Sequence, residues 1–295
     1  MRSYSQIEGD GGSDVAEQIA DLEAAIARRM AGIRHVVAVG SGKGGVGKST
    51  LTRQLGAVLA AAGKRVGILD ADMNGPSQAL LGGVLNVPPL PGEEGLLVPI
   101  SRDGLKILSV GSLLAEGEAL SWPSTSPRHS HVWRATRELA KLAELLSAVH
   151  WGPLDMLLVD LPPGPERTAQ FADFLGPHAA VLLVSIPSAL ARGVVARSVS
   201  ALAALPNRLL GHVENMSGYA CAGCGIVRPL FPPLVSEDRE ASELALPCLG
   251  RVPFDPRLAA LSDEGRAITE IADAGPVAAA LAEVARNLIH ALEVP

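Results

Sequence analysis

The chain has 295 residues, enough for one or two domains, and 48% of them are apolar, ample for a buried core. Aromatic residues make up only 3%, so that core is built mainly of Ala, Val and Leu. A formal charge of −6 without any Lys/Arg block excludes a nucleic-acid surface, and no apolar run reaches the roughly 18 residues needed to span a membrane.

Residues 1–13 are polar and glycine-rich, without the basic start and apolar middle of a signal peptide, so a cytoplasmic location is expected. In that reducing compartment three cysteines point to metal or redox chemistry rather than to disulfides. Val15, Ile19, Leu22, Ile26 and Met30 recur at helical spacing between charged residues, which predicts an amphipathic helix for packing or dimer contact.

An apolar, β-branched run at 33–39 and an Ala/Leu-rich segment at 51–62 enclose GSGKGGVGKST, residues 40–50. The order reads strand, loop, helix. Gly42, Gly47, Lys48 and Ser49 fill the pattern G-x-x-x-x-G-K-[ST], in which backbone N–H groups cradle phosphates, the lysine reaches the β- and γ-phosphates and the hydroxyl sits on magnesium. Glycine is required because only a backbone without Cβ wraps an anion so closely.

The next strand, 65–70, delivers Asp70 and Asp72 to the edge where open α/β sheets bind ligands. On an extended backbone the two carboxylates point the same way, so one can orient water or magnesium while the other caps the turn. Residues 83–99 read as a surface excursion, 105–110 as a strand and 111–128 as a candidate lid. His129 and His131 read as a loop pair without a third metal ligand. After a helix at 131–149, the apolar strand 155–160 ends in Asp160, whose carboxylate is expected to hold magnesium through water. Residues 161–164 form a stiff turn next to the γ-phosphate position. Further strands are expected at 179–185, 210–214 and 249–252, with helices at 189–205 and 275–292. The alternation predicts an α/β fold: a mainly parallel, doubly wound P-loop NTPase sheet with helices on both faces, as a single domain over 14–295 with a CxxC loop near 216–235.

In that loop, Cys221 and Cys224 have the spacing at which two thiolates converge on one metal or cluster. One pair cannot complete a four-thiolate site, whereas two pairs related by a two-fold axis can. Zinc has the same ligand set, and a redox pair is a further reading. Cys248, in the apolar context LALPCLG, reads as a buried small hydrophobe.

Residues 42–49 resemble the deviant Walker A of the MinD/ParA/nitrogenase iron protein class. The resemblance implies that the extra lysine, Lys43, reaches across a homodimer to the partner's ATP. GSGKGGVGKST, LDADMNGPS, LLVDLPPG, VENMSGYACAGCG and LGRVPFDP, in that order, resemble the Mrp/ApbC iron-sulfur carrier ATPases over about residues 33–270. That family implies a homodimer that binds ATP and magnesium, holds a 4Fe-4S cluster on two cysteines from each chain and delivers it to apo iron-sulfur client proteins. By motif match, nucleotide contacts fall on Gly42, Gly44, Gly45, Val46, Gly47, Lys48, Ser49 and Thr50. Catalytic roles fall on Lys43, Lys48 and Asp72, magnesium on Ser49 and Asp160, and the cluster on Cys221 and Cys224. Asn215 is implied to hydrogen-bond adenine.

Pro165-Glu166-Arg167 departs from the family's Thr-Gly-Asp and removes an acid near the nucleotide, which leaves a nucleotide scaffold without turnover as one alternative. Another is a MinD/ParA-like regulatory or positioning ATPase with zinc or no metal at the CxxC. Against it, residues 279–295 lack the basic amphipathic character of a membrane anchor.

Overall fold

The computed structural model describes residues 15–112, 130–221, 223–231, 246–271 and 275–294. Helix α1 (Val15–Met30) leads to strand β1 (Val36–Ser41), which feeds the glycine-rich loop into α2 (Lys48–Ala61). Next come β2 (Val66–Asp70), the short α3 (Gln78–Leu81), β3 (Leu90–Gly92), β4 (Gly95–Leu97) and β5 (Lys106–Leu108). The middle of the chain forms α4 (Ser130–Ala148), β6 (Val149–His150), β7 (Met156–Asp160), α5 (Pro165–Leu175), β8 (Ala179–Ser185) and α6 (Ala189–Leu202). It closes with β9 (Leu209–Ala220), β10 (Val227–Arg228), β11 (Cys248–Phe254), α7 (Pro256–Asp263) and α8 (Gly275–Glu293).

The main sheet runs β10-β9-β8-β1-β7-β2-β5, with β11 also paired to β9; every pairing is parallel except that of β10 with β9. Strands β1, β2, β7 and β8 are buried at every residue, as expected of parallel strands covered on both faces. The two-residue alternation then sorts the side chains. Val37, Val39, Ile68, Leu158 and Leu182 meet Leu51, Leu55 and Leu59 of α2 and Leu281 and Leu288 of α8. Ala38, Leu69, Leu157, Val159 and Leu183 meet α4, α5 and α6 through Leu142, Phe171 and Val195.

In this order the carboxyl ends of β1, β7 and β2 lie side by side, with Asp160 opposite Val39 on one flank and Asp70 on the other. The phosphate loop and both acids therefore share one edge of the sheet.

Several boundaries differ from the sequence expectation. β1 starts at Val36, and Ile33 makes only an isolated bridge to Leu154. Residues 83–99 are largely exposed, but they carry β3 and β4, which pair with each other and, through β4, with β6 in a small second sheet. Residues 216–220, expected in the cysteine loop, continue β9 because β11 supports them on one side. The continuation requires a bulge: the β9/β11 register shifts between Val252 and Phe254, and Met216 takes φ 55°. Residues 113–129, with the candidate lid and His129, lie outside the described residues, whereas His131 belongs to α4 rather than to a loop.

Candidate functional site

Gly45 and Gly47 take φ 77° and 76°, the left-handed region that a side chain resists. A Cβ on Gly42 would come within 2.3 Å of Val194, and one on Gly47 within 2.4 Å of the Asn215 amide. Gly44 and Gly45, by contrast, face open space. Gly47 is also the N-cap of α2, and no side chain caps it. The first turn of α2 thus presents its N–H groups, with the positive end of the helix dipole, toward the loop. These features fit an anion such as a nucleotide phosphate.

Lys48 lies behind the loop, 6% exposed, and its ammonium pairs with Asp160, which is 0% exposed. The same ammonium donates to the Ser49 hydroxyl at 3.4 Å. The second Asp160 oxygen accepts from the side-chain amide of Gln78 at 2.8 Å, and that amide also donates to the Ser49 carbonyl at 2.9 Å. Lys48, Ser49 and Asp160 are thereby brought together, and Thr50 follows in the first turn of α2. A hydroxyl and a buried carboxylate beside a phosphate loop form a donor set that suits magnesium. Lys43 is half-buried and, among the described residues, its side chain makes no hydrogen bond or ion pair. Its carbonyl accepts from the Ser41 hydroxyl at 3.1 Å.

The two acids after β2 part company. The strand ends at Asp70, so the extended geometry that would align them stops there. Asp70 accepts from the backbone N–H of Ser77 and Gln78 at 2.8 and 2.9 Å and from the Ser109 hydroxyl at 2.9 Å. It is the turn cap, and burial, with the Asp160 charge second, raises its pKa to about 7. Asp72 is less buried and, among the described residues, its carboxylate accepts only from Gly75, at 3.3 Å. Facing it electrostatically is Arg167, whose guanidinium is pulled below its usual pKa by burial and pushed back by the Asp72 charge. Arg167 pairs with Glu138 of α4 and lies over the Phe171 ring at 5.2 Å, while Glu138 accepts from Asn74 at 2.8 Å. The Pro165-Glu166-Arg167 departure thus exchanges an acid for a cation whose counter-charge is supplied by another helix.

Asn215 donates from its side-chain amide to the Val46 carbonyl at 2.9 Å, tying β9 to the phosphate loop. Cys221 and Cys224 lie beyond the end of the same strand, in the turn joining β9 to β10. That turn is closed by the Cys221 N–H on the Ile226 carbonyl and the Gly225 N–H on the Cys221 carbonyl, at 3.1 and 2.8 Å. Cys224 is exposed and Cys221 partly so. The N–H groups of Cys224 and then Gly223, followed by the Cys224 side chain, hold the Cys221 thiol below its ordinary pKa. Such a turn favours a thiolate, the form that ligates metal. Among the described residues no group of three or more His, Cys, Asp or Glu is placed to hold a metal ion, so this pair has no third ligand among them. Cys248 is exposed at the start of β11 rather than buried, although burial of the thiol itself pushes its pKa up.

A family model described as NUBPL iron-transfer P-loop NTPase matches residues 32–289. The chain belongs to that family. Among its relatives, an iron-sulfur cluster carrier protein of Methanocaldococcus jannaschii is 34% identical, covering 85% of this chain and 83% of the relative. The cytosolic Fe-S cluster assembly factor NUBP2 of Bos taurus is 36% identical over 88% of this chain and 94% of its own length. Of solved structures, a nucleotide-binding protein from Archaeoglobus fulgidus in complex with ADP superposes with a TM-score of 0.68 at 33% identity, covering 83% of this chain and 91% of that one. The MinD ATPase of Pyrococcus furiosus shares the fold at a TM-score of 0.63 and 22% identity, over 87% of this chain and 99% of its own.

For this member of the iron-transfer P-loop NTPases, sequence reasoning passed over Gln78, Glu138 and Asn74. A signal existed for the first: Gln78 is the polar residue at the head of the apolar stretch Ala79-Leu80-Leu81.

Proposed function

We propose that the chain is an ATP-dependent iron-sulfur cluster carrier that acts as a homodimer in the cytoplasm. Two copies hold one 4Fe-4S cluster through Cys221 and Cys224 of each and pass it to apo-proteins by exchange of thiolate ligands. The observation that carries this reading is the thiolate-favouring cysteine turn, with no third ligand among the described residues, at the end of the strand that also holds the phosphate loop. The iron-sulfur names of relatives that align over most of their length support it.

The nucleotide side follows from the same residues. Phosphates on the 42–49 loop draw the Lys48 ammonium away from Asp160. The carboxylate so released, with the Ser49 hydroxyl, would hold magnesium. Held there, it would supply positive charge to the phosphates. Asp72 would take the attacking-water role, with Arg167 within electrostatic reach, and Lys43, without a side-chain partner among the described residues, would serve the nucleotide of the second copy. Asn215, already set against the loop, is the residue for adenine.

The test is the iron, sulfide and zinc content of protein purified without oxygen, beside a Cys221→Ala/Cys224→Ala variant. About four irons per dimer, lost in the variant, is the expected result. Zinc alone, or no metal after reconstitution, would overturn the carrier reading in favour of a regulatory ATPase.

A further inference from the structure

Gln78 is fully buried, and its amide orientation is fixed by its neighbours. The NH2 group has two hydrogens, and both are taken by acceptors that cannot donate: the Ser49 carbonyl at 2.9 Å and an Asp160 oxygen at 2.8 Å. The carbonyl oxygen, Oε1, is buried and has no hydrogen-bond partner among the described residues. A lone buried acceptor is unfavourable and calls for a reason. Packing alone offers none, because the other buried side chains of α3, Ala79 and Leu81, are apolar. Meanwhile the backbone N–H of Gln78 is held by Asp70, so the side chain is aimed from a rigid turn.

We propose that Gln78 is a positioning residue of the magnesium–nucleotide site. In the present arrangement Asp160 is held from two sides, by Lys48 and by Gln78. When Lys48 turns to phosphates, the Gln78 amide remains the side-chain hydrogen bond that keeps Asp160 beside Ser49. Its unpartnered carbonyl adds an acceptor of the kind that a hydrated magnesium ion uses, since that ion keeps several waters. Gln78 thus links the turn after β2 to the metal end of the phosphate loop. The inference rests on the nucleotide reading above and extends it to a residue outside the phosphate-loop motif.

The test compares Gln78→Met, close in volume but without hydrogen-bonding groups, with Gln78→Asn, which keeps the amide donor and acceptor on a shorter stem. The affinity for a fluorescent ATP analogue is measured with magnesium and with EDTA, and the nucleotide-free thermal midpoint is recorded. The readout is the ratio of the two affinities. In Gln78→Met the ratio is expected to fall about tenfold, the usual size of such an outer-shell loss, and in Gln78→Asn to stand above that value. A ratio unchanged in Gln78→Met, or lowered equally in both variants together with the thermal midpoint, overturns the proposal. No analogue binding by the unmodified protein overturns the nucleotide reading itself, and this role with it.

Discussion

The Lys48 ammonium and the Asp160 carboxylate form an ion pair almost shut off from water, joining the start of α2 to the end of β7. Removing one partner leaves the other charged and buried, the situation that costs most in a protein interior. Lys48→Met is therefore expected to destabilise the nucleotide-free protein by roughly 3–5 kcal/mol in urea unfolding, besides abolishing nucleotide binding. The double variant Lys48→Met/Asp160→Leu should recover most of that stability and none of the binding. Costs that simply add would refute the coupling.

Gly47 combines a left-handed backbone with a tight approach to Asn215, and Gly63 has only the first of these. Gly47→Ala and Gly63→Ala should each lose about 1–3 kcal/mol from the strained φ. Only Gly47→Ala should also lose nucleotide affinity, because its methyl group displaces the amide that holds Val46. Calorimetric titration of an ATP analogue into the two variants separates the effects.

Arg167 neutralises Glu138, which is 1% exposed. Restoring the family's acid as Arg167→Asp would set a carboxylate against Glu138 with Asp72 nearby, and a loss of about 3 kcal/mol is expected. Adding Glu138→Lys should return most of it. If Arg167→Asp is neutral in chemical unfolding, Glu138 is not held by this pair.

The cysteines differ in the direction of their pKa. Backbone N–H groups favour the Cys221 thiolate, while burial disfavours that of Cys248, so Cys221 loses its proton at the lower pH. Iodoacetamide labelling of the metal-free reduced protein, followed by peptide mass spectrometry from pH 6 upward, should therefore modify Cys221 before Cys248. Cys248 reacting at the lower pH would contradict the assigned environments.

Much of the site was legible because its signals are local. The phosphate loop is a fixed spacing within eleven residues of sequence, and Asp160 stands out as an acid closing an apolar strand. The cysteine pair announces itself in four. What escaped depends on contacts between distant segments: Gln78 reaches Asp160, and Arg167 on α5 reaches Glu138 on α4. Asp70 and Asp72 were misaligned for a related reason, since the end of a strand is set by its neighbours as much as by its own residues. Cys248 looked internal from its apolar flanks, but the start of a strand follows the sheet edge out to solvent.

Asn215 grips the phosphate loop, and Cys221 lies six residues further along the same chain segment. At about 3.3 Å per residue, roughly 20 Å of continuous backbone separates the loop contact from the thiol. The bulge at Met216 is the one break in its regularity. On the proposed function, a shift of the loop on nucleotide exchange would have a covalent route to the thiols, the two sites standing as the ends of one lever.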